Sequence, residues 1–316
     1  MLRKIFIICI SILLVFVCIY SIENLKSKKN ENILRVSFIN MWSGFTIDEL
    51  PMIKEVIEES GRKIVIDHKN YDLIIESVFG QKKISNKNSI KIFFTGESIR
   101  PNPDNYDIAI GFDYIDHPHY IRIPLYYMYF TNEISTNYKR PKCNPHKPHF
   151  ACFLVSAHID DTEKFDGCVA RDKFFHKLSS YKRIRSGGKY LNNESRVVPK
   201  ENTREWLSEC KFVIAYENKT YEGYVTEKPF QAYLAGAVPI YYADKSYVKD
   251  VNPRAVIFAK DFASEEDLYN YIISIDQNDE KYCEIYNNSI VPDSLNNYPI
   301  IKEKLKEKLL PLLNEK

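Results

Sequence analysis

Between Tyr216 and Pro229 the chain reads YENKTYEGYVTEKP, which sets Glu217, Asn218, Tyr224, Glu227 and Lys228 within twelve residues. An ammonium at the first turn of a helix, beside free backbone N–H groups, suits the holding of an anion such as a phosphate. Each residue alone has a bland explanation. Lys228 is then a solvated helix residue, Tyr224 a packing aromatic and Glu227 a carboxylate answering the helix dipole. Their clustering on one ligand-facing edge is what singles them out.

The elements that must position them are legible around this segment. Residues 211–216 and 238–242 are nearly continuous apolar runs, as in strands buried on both faces of a parallel sheet. Thr226 is the expected N-cap of an intervening helix, Pro229 falls in its first turn, and Gly236 closes it. Strand, loop, helix and strand place the loop at the carboxyl edge of the sheet, where phosphorylated ligands usually bind. Earlier in the chain, strands are expected at 34–39, 63–66, 72–76, 91–95, 108–112 and 121–123. A helix over 47–60 is expected to open on a capping box of Thr46 and Glu49. Trp42 follows the first strand, and Glu97 lies just beyond another strand and a glycine turn. Read alone, Glu97 is a solvated turn carboxylate and Arg171, on a helix around 168–180, a surface residue. The run KRPKCNPHKPH over 139–149 reads as an exposed connector, and its histidines come with no carboxylate pattern for a metal.

The string YENKTYEGYVTEKPFQAYLAGAVPIYY resembles the signature of the α-1,3-fucosyltransferases, in glycosyltransferase family ten, which move L-fucose from GDP-β-L-fucose to a sugar hydroxyl with inversion. The segments Thr95-Gly96-Glu97 and Gly111-Phe112-Asp113 are similar to those of bacterial-type members. The resemblance implies a GT-B fold, with two Rossmann-like α/β domains facing a cleft. It also implies Glu97 as catalytic base and Arg171 as the grip on the donor pyrophosphate, with Glu227 in the catalytic group as well. Asn218, Tyr224, Glu227 and Lys228 are implied to line the donor site, Glu227 meeting either the fucose or the ribose. The chain has Pro229 where many relatives carry a bulky aliphatic residue, and it lacks the C-terminal cysteine pairing of vertebrate members. The acceptor is expected to be a glycan carrying GlcNAc. No Asp-x-Asp pair occurs in the sequence, so Arg171, Lys228 and the helix N-terminus are expected to stabilise departing GDP without a metal. Two rivals remain: an inactive glycan-binding protein on the same scaffold, and a transferase using another nucleotide sugar. Competition by GDP but not UDP separates the two enzymes.

With 316 residues, 45% of them apolar, the chain has room for two folded domains. A formal charge of +2 leaves no global footprint for nucleic acid. Residues 5–22 carry no charge and are long enough to cross a bilayer. They are expected to be an uncleaved signal anchor, with a short tail at 1–4 and a stem over 23–32. The resemblance favours a type II membrane protein, in the Golgi membrane of a eukaryote or the inner membrane of a bacterium. Domains are expected over 33–140 and 150–296, linked by 141–149. An amphipathic helix over 297–316, broken at Pro311, closes the chain. Five cysteines lie beyond the anchor with no metal-like spacing. They are expected to be mostly buried free thiols, with at most one bridge, involving Cys143.

Overall fold

The computed structural model describes residues 32–130, 133, 138, 140–161, 163–292 and 298–315. The expected anchor over 5–22 lies outside them. Among the described residues, no helix is long and apolar enough to cross a membrane.

The first domain holds β1 (Ile33–Ile39), α1 (Pro51–Glu59), β2 (Lys63–Ile66), β3 (Leu73–Glu76), β4 (Ile90–Phe93), β5 (Ile108–Gly111), β6 (Tyr120–Arg122) and α2 (Leu125–Tyr129). Its strands form one parallel sheet in the order β2-β1-β3-β4-β5-β6. The second holds β7 (His149–Phe153), α3 (Asp166–Ser179), β8 (Ile184–Ser186), α4 (Thr203–Ser208), β9 (Cys210–Tyr216), α5 (Lys228–Leu234), β10 (Val238–Tyr242), β11 (Ile257–Phe258), α6 (Glu265–Asp276) and α7 (Asp279–Tyr286). Here the order is β11-β10-β9-β7-β8, again parallel. All seven residues of central β9 are buried, as an apolar run in a doubly covered sheet requires. Even Lys211 is buried there, its ammonium 2.9 Å from Asp276. The two domains are Rossmann-like and face each other across a cleft.

Several local expectations are overturned. Thr46 makes no cap bond: a 3-10 turn over Ile47–Glu49 comes first, and α1 starts afresh at Pro51, whose missing N–H is harmless at a helix start. The Glu49 carboxylate instead accepts from Trp42 Nε1 at 3.3 Å and Lys200 Nζ at 2.8 Å. Pro311 does not break the last helix. That helix, α8 (Tyr298–Asn314), runs through it and returns to the first domain. Leu305, Leu309 and Leu313 are fully buried, while Lys302 pairs with Glu55 at 2.7 Å and Glu59 at 2.6 Å on α1.

The cysteines form two bridges, Cys143–Cys283 and Cys152–Cys210, leaving only Cys168 free, and buried, among the described residues. Spacing hides the second bridge because it depends on β7 lying beside β9, which brings the two Cα atoms to 5.8 Å. The first ties the proline-rich connector to α7. Arg140, near the start of that connector, lies against the rings of Tyr233 and Tyr286 at 4.1 and 3.6 Å. It donates to the carbonyls of Ala237 and Tyr286.

A clasp joins the domains beside the cleft. Arg122, at the end of β6, donates to both oxygens of Asp250 at 3.0 and 2.7 Å and to the carbonyls of Phe112 and Gly223. Tyr126 and Tyr114 donate to the same carboxylate, which is 2% exposed. Gly223, at φ +88°, lets the loops of the two domains meet: a Cβ there would lie 2.2 Å from the Phe112 carbonyl. Removing one member of such a pair strands the other charge. Asp250→Ala is therefore expected to lose about 3–5 kcal/mol of unfolding free energy in urea. A loss below about 1 kcal/mol would show that the clasp carries little.

Candidate functional site

Beyond Tyr216 the chain leaves β9 and returns at Lys228 to begin α5. Glu217, the first residue past the strand, is fully buried. Its carboxylate accepts from Thr226 N at 2.8 Å, the Thr226 hydroxyl at 2.7 Å, the Tyr241 hydroxyl at 3.0 Å and Lys228 Nζ at 3.0 Å. The Thr226 hydroxyl donates to Glu217 while its oxygen accepts from Lys228 N at 3.4 Å, a long cap contact at the start of α5, and Glu227 itself makes no side-chain cap bond. Burial pushes the Lys228 ammonium toward neutrality. Glu217, Glu227 and Glu97 together outweigh it, so its pKa stands above the ordinary lysine value.

The loop after Glu217 is stapled to the start of α3. Asp166 accepts from the backbone N–H and hydroxyl of Thr220 at 2.9 and 2.6 Å, and Cys168 N donates to the Asn218 carbonyl. Gly167 permits this approach, since a Cβ on it would sit 1.9 Å from the Glu217 carbonyl. One helical turn on, Arg171 is only 4% exposed, contrary to the surface position expected of a lone helix arginine. Its guanidinium donates to Asn218 Oδ1 at 2.9 Å, the Ala157 carbonyl at 2.7 Å and Asp172 at 3.3 Å. Asp172 is also 2.7 Å from His158 Nδ1.

Glu97 approaches from the first domain, on the loop after β4. Its backbone N–H donates to Thr95 Oγ1, and the Tyr224 hydroxyl reaches across the cleft to the Gly96 carbonyl at 3.1 Å. No described side chain pairs with the Glu97 carboxylate, which is half-buried. Glu97, Arg171, Asn218, Glu227 and Lys228 line one cavity of about 420 Å³ between the domains. Tyr224 does not reach it. Fully buried, stacked on Tyr221 and edge-on to Phe112, it supports the chain just before Glu97. Sequence reasoning misses Phe79 and Gln231, which also line the cavity. It names Glu217 only as a neighbour.

The raised Lys228 pKa depends on Glu217, so the isosteric Glu217→Gln variant should move it downward, toward or below the ordinary value of roughly 10.4. Titrating isotopically labelled lysine by NMR would read this. An unmoved Lys228 resonance would show that Glu227 and Glu97 suffice. By linkage, a raised lysine pKa gives stabilisation that is complete below the ordinary value and fades only as pH climbs through the folded one.

Residues 36–129 match the family model "Alpha-(1,3)-fucosyltransferase FucT N-terminal domain", and residues 144–288 match "Glycosyltransferase family 10 (fucosyltransferase) C-term". The alpha-(1,3)-fucosyltransferase FucT of Helicobacter pylori is 30% identical over 303 residues, covering 85% of this chain. The chain spans 63% of that relative's length. The crystal structure of an alpha1,3-fucosyltransferase superposes with a TM-score of 0.71 at 23% identity, over 89% of this chain and 90% of that one. An alpha1,3-fucosyltransferase crystal structure with GDP-fucose gives a TM-score of 0.68 at 23% identity, over 87% and 90%. At such identity the likeness speaks for the fold, and it agrees with the two facing parallel sheets. With both halves matched in order, the chain belongs to glycosyltransferase family 10, the fucosyltransferase family.

Proposed function

We propose that the protein moves L-fucose from GDP-β-L-fucose to a GlcNAc hydroxyl of a glycan, O3 in the first instance, with inversion at the anomeric carbon. The observation that carries this is the single cavity in which Glu97, unpaired, shares the lining with Arg171 and Lys228, both fixed cations. A sugar hydroxyl is a weak nucleophile near neutral pH, so a carboxylate within reach must take its proton. Glu97 does so as the acceptor oxygen bonds to the anomeric carbon and the bond from that carbon to the β-phosphate oxygen breaks. The electron pair leaves with GDP. Arg171 and Lys228 balance the charge that grows there, a role filled in many enzymes by a divalent metal. Asn218 orients Arg171, and Glu227 faces the donor sugar or its ribose. Inversion requires one displacement and one base, hence no second nucleophilic carboxylate.

A glycan-binding protein would need neither an unpaired carboxylate nor two anchored cations, which disfavours the inactive-scaffold reading. Residues 5–22 are proposed to anchor the chain as a type II membrane protein. The two disulfides suit a catalytic region on the oxidising side of that membrane.

GDP release by the full-length chain, given GDP-fucose and N-acetyllactosamine, tests the reaction. Glu97→Gln should cut turnover by about a hundred- to ten-thousand-fold with GDP affinity intact. Binding without acceptor-dependent turnover would favour the glycan-binding reading, and failure to bind GDP-fucose would refute the donor assignment. Activity is expected to survive EDTA; a loss that magnesium or manganese restores would count against cationic side chains as the sole support for the leaving group.

A further inference from the structure

The cavity between the domains has two described lining residues from the first domain, Glu97 and Phe79. Phe79 is 48% exposed, whereas Phe93 at the end of β4 and Phe94 just beyond it are 4% and 1% exposed. A large apolar ring left half in water forgoes much of the stabilisation that burial would bring. A loose loop would explain such a ring, but this one is held from several directions.

Its backbone N–H donates to the Asn40 carbonyl at 2.8 Å. Asn40 adopts φ +57°, a left-handed conformation uncommon outside glycine. Its side chain donates to Glu76 at 2.9 Å and to the Lys82 carbonyl at 3.0 Å, and accepts from Lys82 N at 3.0 Å. Residues on both sides of Phe79 are thereby clamped. Gly80 fits against the clamp, where a Cβ would come 2.6 Å from Asn40 Oδ1. Behind the ring, Trp42 stands edge-on with centroids 5.7 Å apart, and Phe45 packs edge-on to Trp42 at 4.8 Å. Trp42 is fixed in turn by its bond to Glu49.

We infer that Phe79 is an acceptor-binding residue, a platform on which the C–H face of the acceptor pyranose stacks. This rests on the proposed transfer reaction. The negative face of an aromatic ring attracts the polarised C–H groups of a sugar, and the ring's rigidity limits the entropy lost on contact. The donor's charged groups require cations, and Arg171 and Lys228 supply them from the second domain. Phe79 lies with Glu97 on the first domain, the side from which the acceptor hydroxyl must meet its base. An apolar ring has nothing to offer a diphosphate, but it suits a neutral glycan.

The test is calorimetric titration of N-acetyllactosamine into the full-length chain saturated with GDP, for the unsubstituted protein, Phe79→Ala and Phe79→Tyr. Acceptor affinity should fall about tenfold in Phe79→Ala, as the loss of one aromatic stack implies. It should stay unchanged in Phe79→Tyr, with GDP affinity equal in all three. In turnover, the acceptor KM should rise in Phe79→Ala while the KM for GDP-fucose holds. The platform is overturned if Phe79→Ala binds acceptor as tightly as the unsubstituted chain, if it loses GDP affinity in parallel, or if the unsubstituted chain binds no N-acetyllactosamine. A protein that binds acceptor through Phe79 yet releases no GDP would refute the transfer reaction and leave the platform standing. Turnover with an unchanged acceptor KM in Phe79→Ala would do the reverse.

Discussion

The Glu217 carboxylate, fully buried at the carboxyl end of β9, is the constraint on which the second domain's half of the site depends. Taking an ion out of water costs several kcal/mol even after relaxation, so the group is tolerable only if its oxygens are satisfied. Four hydrogen bonds do this, and their donors come from both sides of the loop: Thr226 and Lys228 at the start of α5, Tyr241 on β10. The dependence runs both ways. Burial alone would press Lys228 toward neutrality, yet the carboxylates around it win and its pKa stands above the ordinary value. One buried charge thus fixes the entry of α5, ties β10 to the end of β9 and keeps an ammonium charged at a cavity wall.

The proposed base on one domain and the cations on the other are useful only if the separation between them is fixed, because small misplacements of reacting groups are expensive in rate. The Arg122–Asp250 clasp and the Tyr224 bond to the Gly96 carbonyl supply that rigidity. Tyr224 shows how this affects the reading of site residues. Its place in the loop suggested a ligand contact, but its ring is buried beneath the site and its hydroxyl reaches the residue before Glu97. The side chain acts on the backbone just before Glu97 and not at the cavity wall.

Continuous apolar runs made β9 and β10 legible, and alternation of strands with helices made both sheets legible. What the sequence hid were outcomes of competition between partners far apart in the chain. Thr46 and Glu49 have capping-box spacing, but Glu49 is taken by Trp42 and by Lys200 from the other domain. Thr226 has N-cap chemistry and its oxygen accepts from Lys228 N, though only at 3.4 Å, because its hydroxyl is drawn to Glu217 at 2.7 Å. The Cys152–Cys210 bridge follows from strand order, which spacing does not encode. Glu97 and Arg171 looked like surface residues until a family resemblance singled them out. The burial of Arg171 and the unpaired state of Glu97 are facts of tertiary structure. Phe79, in an unremarkable Val-Phe-Gly segment, carries no local signal at all.

The two cations are held in a way that leaves them incomplete. Arg171 has five N–H donors; three are engaged by Asn218, the Ala157 carbonyl and Asp172, which leaves two. Lys228 has three; Glu217 and Thr226 take two, which leaves one. Both residues line the cavity, and their bonds to the protein leave them little freedom to turn elsewhere. Positive charge fixed before a ligand arrives requires little reorganisation when negative charge develops, and in a partly dry site it acts more strongly than in water. The protein-side bonds of Arg171 and Lys228 therefore do more than hold the fold. By consuming part of each donor set they restrict what is left, while the Glu97 carboxylate, which no described side chain pairs with, keeps its oxygens available to accept a proton.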